Sequence, residues 1–196
     1  MNKLPIWKYS LLHRLKRGAS ISISPTFRCN YRCEYCTLRI ASDNPRKVKE
    51  STLDEWIRFI DNFPLKLKEV HITGGEPTLM PYLNALTVEL INRRILVTIF
   101  TNLSHEITAP TSNYLRIQAS YHHSQANAVT FYETYTRLKK QGYQITIDEI
   151  GNKLLSLPTN VKQQLKTVED LETVKPRIRI APDRTGYFTT CYDMYL

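Results

Sequence analysis

The sequence predicts an α/β fold: an open, partial (β/α)6 barrel with largely parallel strands. Three observations carry this. Strand and helix signals alternate along the chain, with connections long enough for parallel crossovers. Six strand signals are present, short of the eight that close a full barrel of this type. Within most strands, apolar residues alternate with polar ones. Ser22, Ser24 and Thr26 share one parity, as do His71 and Thr73, then Gln118, Ser120 and His122, then Thr146 and Asp148. The opposite parity holds Ile21 and Ile23, Val70 and Ile72, Ile117 and Ala119, Ile145 and Ile147. A flat parallel sheet covered on both faces reads as unbroken apolar runs. Here one face suits helices and the other is polar, as expected of a curved sheet with a wet, ligand-holding interior. The competing arrangement is an α+β sheet with one solvated face.

Residues 5–17 place Ile6, Leu11, Leu12 and Leu15 among basic residues, a short amphipathic helix ending at Gly18. Ile21–Ser24 is the first strand, stopped by Pro25. Residues 37–50 are a polar, basic loop with a turn at Asp43-Asn44-Pro45. Ser51 or Thr52 caps a helix with Asp54 and Glu55 in its first turn and Trp56, Ile57, Phe59 and Ile60 on its buried face; Pro64 ends it. The second strand spans 69–73, and Pro81 opens a helix running to about Asn92. A third strand covers 95–101, and the connection 103–113 has room for one helical turn. The fourth strand is 114–121. A helix over 128–140 is closed by Gly142, and the fifth strand is 144–149. A helix over 159–172 and a sixth strand over 177–180 complete the core. The reading divides the chain into an N-terminal extension (1–19), the barrel core (20–181) and an irregular tail (182–196).

The chain has 196 residues, enough for one domain with a sizeable core. No apolar run approaches the ~20 residues of a membrane span. The N-terminus lacks an apolar stretch followed by a small-residue cleavage site, which points to the cytoplasm. In that reducing compartment cysteines serve as metal ligands or thiols more often than as disulfides. The net charge of +9 fits an anionic substrate, a nucleic acid or plain solubility. The basic residues are spread along the chain, so support for nucleic acid is weak.

Three of the four cysteines fall in one stretch, Cys29-Asn30-Tyr31-Arg32-Cys33-Glu34-Tyr35-Cys36, directly after the first strand. Ligands of parallel α/β proteins sit beyond the carboxyl ends of strands. Three thiolates on such a loop suit an iron–sulfur cluster with one iron left open, or zinc completed by a fourth ligand such as Cys191 or His122. Gly74-Gly75-Glu76-Pro77 follows the second strand, where two glycines let backbone approach a ligand closely. Tyr35 is placed to stack on a flat ligand or to cover a cluster. His122, on the polar parity of strand four, is a candidate acid, base or substrate ligand; His123 is on the other parity.

The cysteine spacing, Tyr35 before the last cysteine and Gly74–Pro77 together resemble the radical S-adenosylmethionine (SAM) superfamily. The resemblance covers about residues 20–180. It implies a 4Fe–4S cluster on Cys29, Cys33 and Cys36, with the amino and carboxylate groups of SAM on the open iron. It implies reductive cleavage to a 5′-deoxyadenosyl radical that abstracts hydrogen from a substrate. Tyr35 would pack near the adenine, and Gly74, Gly75 and Glu76 would meet the methionine end. Thr101-Asn102 matches the T-N that often ends strand three, although Leu103 stands where glycine is common. Ser120 matches a serine near the ribose or carboxylate, while Tyr121-His122-His123 departs from the usual turn. The implied partners are a small-molecule or peptide substrate and an external electron donor such as flavodoxin or ferredoxin. The small size resembles glycyl-radical-activating enzymes and 7-deazaguanine synthases. The non-enzymatic alternative is a zinc module on Cys29, Cys33, Cys36 and Cys191 whose basic surface binds nucleic acid.

Overall fold

The computed structural model describes residues 18–33, 36, 50–151 and 177–180. The expected helices over 5–17 and 159–172, Tyr35, the loop 37–49, Cys191 and the tail lie outside the described residues. The described elements are β1 (Ala19–Thr26), α1 (Leu53–Asp61), β2 (Leu67–Gly74), a 3-10 turn (Pro77–Leu79), α2 (Leu83–Asn92), β3 (Leu96–Thr101), β4 (Leu115–His122), α3 (Ala128–Lys140), β5 (Gln144–Gly151) and β6 (Arg177–Ile180). Among them no helix is long and apolar enough to cross a membrane.

The six strands lie side by side in chain order, and each neighbouring pair is parallel. An order without reversal means that every crossover steps the same way. Right-handed crossovers then leave the connecting helices on one face of a sheet that curls away from them. The open partial barrel read from the sequence is this arrangement.

Register explains the two faces. Ile23, Ile72, Ile99, Ile117 and Ile145 pair across five adjacent strands as one buried row. They pack in one core with Trp56 and Ile60 of α1, Leu86 and Leu90 of α2, and Phe131 and Leu138 of α3. Each such side chain contributes about 1.5–3 kcal/mol when fully buried. Neighbouring positions carry the polar row: Gln118 pairs with Thr146 and Ser120 with Asp148, while Phe100, opposite Gln118, is an apolar exception.

Local chemistry sets the element ends. Thr52 caps α1 in a reciprocal box: Glu55 N donates to Thr52 Oγ1 at 3.3 Å, and Thr52 N donates to Glu55 Oε2 at 2.7 Å. Gly142, with φ at +93°, closes α3: Tyr143 N donates to Leu138 O at 3.2 Å and Gly142 N to Lys139 O at 3.0 Å. The α2 end has the same pair of bonds but places Arg94 at φ +57°.

Three expectations are corrected. Pro25 does not stop β1, which runs on to Thr26. The strand is at the sheet edge, where a missing N–H is tolerated, and it bulges between Ile23 and Thr26. The extra residue moves Thr26 off the parity of Ser22 and Ser24, pairs it with Gly74, and buries it fully. The helix α2 opens at Leu83 rather than Pro81, because the chain is still leaving the 3-10 turn. The connection 103–113 holds no helix. It covers the outer face with buried Ile107 and Ala109. Asn84 Oδ1 accepts from Thr108 N and Ala109 N at 2.9 and 3.0 Å, and Tyr143 Oη donates to Ala109 O at 2.7 Å.

Candidate cluster and cofactor site

The carboxyl ends of β1, β2 and β3 converge on the cysteine loop. Beyond Gly74 the backbone stays bonded to the chain leaving β1: Gly75 N donates to Thr26 O at 2.9 Å, and Glu76 N to Arg28 O at 2.8 Å. Both glycines are demanded by this approach. A Cβ on Gly74 would overlap the Thr26 carbonyl, and one on Gly75 the Arg28 carbonyl; Gly74 also has φ at +108°. The Gly-Gly turn therefore seats the start of the cysteine loop. The far end of the neighbouring segment is tied to the same place, since Glu50 accepts from Thr26 Oγ1 and pairs with Arg28 through two bonds of 3.0 Å.

Glu76 is 2% exposed, and its carboxylate accepts four hydrogen bonds. Oε1 takes Thr78 N at 3.0 Å, Thr78 Oγ1 at 2.6 Å and Thr101 Oγ1 at 2.5 Å; Oε2 takes Asn102 N at 2.7 Å. A buried carboxylate needs this full set of donors to offset its lost hydration. Asn102 passes the restraint on: its Nδ2 donates to Asn30 Oδ1 at 2.9 Å, inside the cysteine loop, and its Oδ1 accepts from Ser104 N at 3.0 Å. One path of hydrogen bonds thus runs from the Gly-Gly turn through Glu76 and Asn102 to the loop that carries the thiols.

Of the three cysteines, Cys33 is buried, Cys29 half-buried and Cys36 exposed. Burial pushes the Cys29 thiol up from its ordinary value, opposed by a hydrogen bond from Tyr31 N at 3.4 Å. Cys36 N donates to Cys33 O at 3.1 Å, closing the turn between the last two cysteines. The donor set fits an iron–sulfur cluster: three sulfurs on one short strand-end loop, with a backbone N–H already aimed at one of them. Zinc would require Cys191, outside the described residues, or another fourth ligand. Among the described residues no three His, Cys, Asp or Glu side chains gather about one ion position.

The end of β4 meets this loop. His122 Nδ1 lies 3.4 Å from Cys33 Sγ, and the ring packs edge-on to Tyr31 with centroids 5.6 Å apart. Burial holds its pKa down, to about 4, so the imidazole is neutral at physiological pH. Gln125 Oε1 accepts from Arg32 N at 3.2 Å and adds a second tie. His123 turns to the other face, 4.8 Å from the Tyr121 ring, which itself packs on Phe131 of α3. The strand's period of two separates the adjacent histidines.

Below the loop, Ser120 and Asp148 pair across β4 and β5 on the inner face. One step deeper, Gln118 is 9% exposed; its Oε1 accepts from Thr146 Oγ1 at 2.9 Å, and its Nε2 has no hydrogen-bond partner among the described residues. The described site therefore assembles Cys29, Cys33, Cys36, Gly74, Gly75, Glu76, Asn102 and His122 around one loop, with Ser120 on the sheet face below. Sequence reasoning did not single out Asn30, Tyr31, Gln118 or Gln125 as site residues. Thr101, read with Asn102 as the end of strand three, donates to Glu76; Asn30 and Gln125 act through contacts far apart in sequence and left no local signal.

The comparisons agree with this geometry. The model of the Radical SAM superfamily matches residues 23–183. The GTP 3′,8-cyclase of Clostridium perfringens is 40% identical over 58 residues, 29% of this chain and 18% of that protein. The GTP 3′,8-cyclase of Synechococcus elongatus is 35% identical over 68 residues, 34% and 21% of the two chains. Each match thus spans about a fifth of the curated relative. Streptococcus suis SuiB shares the fold at a TM-score of 0.59 and 18% identity, over 90% of this chain and 42% of SuiB. The same protein bound to S-adenosylmethionine matches at 0.59 and 15%, over 96% and 48%. With the family model spanning most of the chain and the cysteine loop seated on the Gly-Gly turn, the chain belongs to the radical SAM superfamily, whose cofactors are a 4Fe–4S cluster and S-adenosylmethionine.

Proposed function

We propose that this chain is a radical SAM enzyme that abstracts hydrogen from a substrate lodged on the polar inner face of the sheet. When bound, the cluster and SAM supply reductive cleavage to methionine and a 5′-deoxyadenosyl radical. The single observation that supports the reading most is the joining of three strand ends at the cysteine loop, through Gly75–Thr26, Glu76–Asn102 and Asn102–Asn30. Cys29, Cys33 and Cys36 hold the cluster. The Glu76 carboxylate is occupied by protein donors, so it shapes the turn, and the backbone beyond Gly74 is what meets the methionine end. Ser120 would serve the sugar of SAM, and Tyr35 would serve its adenine.

The substrate reading follows from charge and lining. A net charge of +9 and partial matches to GTP 3′,8-cyclases favour an anionic small molecule such as a nucleotide. A SuiB structure holds a precursor peptide, but at 17% identity that likeness concerns the fold. Gln118, Ser120, Thr146 and Asp148 give the inner face amide, hydroxyl and carboxylate groups able to orient a polar substrate. An external flavodoxin or ferredoxin supplies the electron.

Anaerobic reconstitution tests the reading. The chain takes up iron and sulfide, turns brown, and with dithionite and SAM releases 5′-deoxyadenosine; Cys33→Ala abolishes that release. A colourless protein holding one zinc per chain would favour the zinc module instead.

A further inference from the structure

We propose that His122 is a positioning residue for the cluster, donating a hydrogen bond from Nδ1 to the sulfur of Cys33 and thereby raising the cluster's reduction potential. The inference rests on the reading that Cys29, Cys33 and Cys36 hold a 4Fe–4S cluster. Its own ground is the 3.4 Å approach of His122 Nδ1 to Cys33 Sγ. A cysteine sulfur bound to iron carries no proton, so it can only accept. The contact then requires the imidazole to carry its hydrogen on Nδ1. Neutral or protonated, the imidazole that makes this contact presents an N–H at Nδ1, and the sulfur determines that placement.

The placement is well supported. The His122 carbonyl accepts from Gln125 N at 3.0 Å and Ala126 N at 2.8 Å, closing the turn after β4. Gln125 then holds Arg32 N, next to Cys33 in the chain. Tyr31 packs edge-on against the ring, with centroids 5.6 Å apart. The imidazole is thus held by its backbone and by two residues of the cysteine loop. Cys29 has a different donor, the backbone N–H of Tyr31 at 3.4 Å. Among the described residues, Cys29 has an N–H in reach from the main chain and Cys33 one from a side chain.

The consequence is electrostatic. Reducing the cluster by one electron adds negative charge that the sulfurs share. An N–H pointed at a sulfur stabilises the reduced form more than the oxidised one and moves the potential upward. His122 belongs to the Tyr121-His122-His123 segment, so the donor comes from the stretch where this chain departs from the usual family turn.

The test uses the full chain, reconstituted anaerobically and titrated with dithionite under EPR detection without SAM. His122→Phe keeps a ring and removes the donor; His122→Asn keeps a short side chain with an N–H in a similar place. The expected result is equal iron and sulfide in all three, a more negative midpoint for His122→Phe, and a His122→Asn midpoint near the parent's. Equal midpoints in the parent and His122→Phe would overturn the proposal, as would the same shift in both variants. Should His122→Phe not load, the parent decides alone. With histidine labelled in its ring nitrogen, pulsed EPR of the reduced cluster shows coupling to that nitrogen; absence of coupling overturns the proposal. A parent chain that never takes up iron and sulfide refutes the cluster reading itself, and this inference with it.

Discussion

The buried carboxylate of Glu76 accepts the main-chain N–H of Asn102 at 2.7 Å, joining the turn after β2 to the end of β3 across 26 positions of sequence. Asn102 in turn holds Asn30. The carboxylate is therefore a clamp on the floor of the cysteine loop, and its removal is felt at the thiols without touching them. Glu76→Ala leaves Thr101 Oγ1, Asn102 N and Thr78 N without their acceptor and lowers stability by about 2–4 kcal/mol. Glu76→Gln keeps an acceptor but sets an amide N–H against one of the donors, costing about 1–2 kcal/mol. Denaturant midpoints give the order, and iron uptake should fall in the same order.

Gly75 leaves no room for a side chain beside the Arg28 carbonyl, where the chain enters the cysteine loop. Gly75→Ala places a methyl group against the Arg28 carbonyl, which is backbone and cannot swing away. The two segments must separate, at about 1–3 kcal/mol by the usual cost of overpacking. Iron and sulfide stoichiometry after reconstitution should drop well below that of the parent. An unchanged stoichiometry with unchanged stability would show that the turn does not seat the loop.

Two left-handed residues separate backbone strain from burial. Arg94 is exposed at φ +57°, in the position where helices commonly end on glycine. Arg94→Gly relieves about 1–2 kcal/mol of strain and loses part of it to backbone entropy, a net stabilisation of about 0.5–1 kcal/mol. Leu103 has φ +58° but is buried in the core. Leu103→Gly relieves the same strain and leaves a cavity, for a net loss of about 1–3 kcal/mol. Thermal unfolding of the two variants should shift in opposite directions.

Gln118 carries a donor in the sheet interior that no described group accepts. Such a group costs about 1–3 kcal/mol. Gln118→Leu should raise stability by about 1 kcal/mol even though it deletes the bond from Thr146. Chemical denaturation checks this. The same variant should still release 5′-deoxyadenosine when no substrate is supplied, because Gln118 lies two positions below Ser120 on the strand.

Much of the site was legible in the chain. Cys29, Cys33, Cys36 and Gly74–Pro77 are local spacings, and local spacing survives folding unchanged. The polar parity of His122, Ser120 and Gln118 was readable because a strand turns successive side chains to opposite faces. The same logic failed at Thr26. One extra residue in the bulge at Pro25 moved it to the buried parity, where it meets Glu50.

By itself the sequence determined the six strands, the two faces of their sheet and the order of the motifs along it. These depend on a period of two and on residues close together in the chain. Only the tertiary structure decided the partners: Glu76 with Asn102, Asn102 with Asn30, and His122 with Cys33. Those pairs lie 26 to 89 positions apart and meet only because parallel strands bring their carboxyl ends to one edge. The physical reason is that a hydrogen bond is set by distance and direction in space, and for such pairs register and bulges determine both.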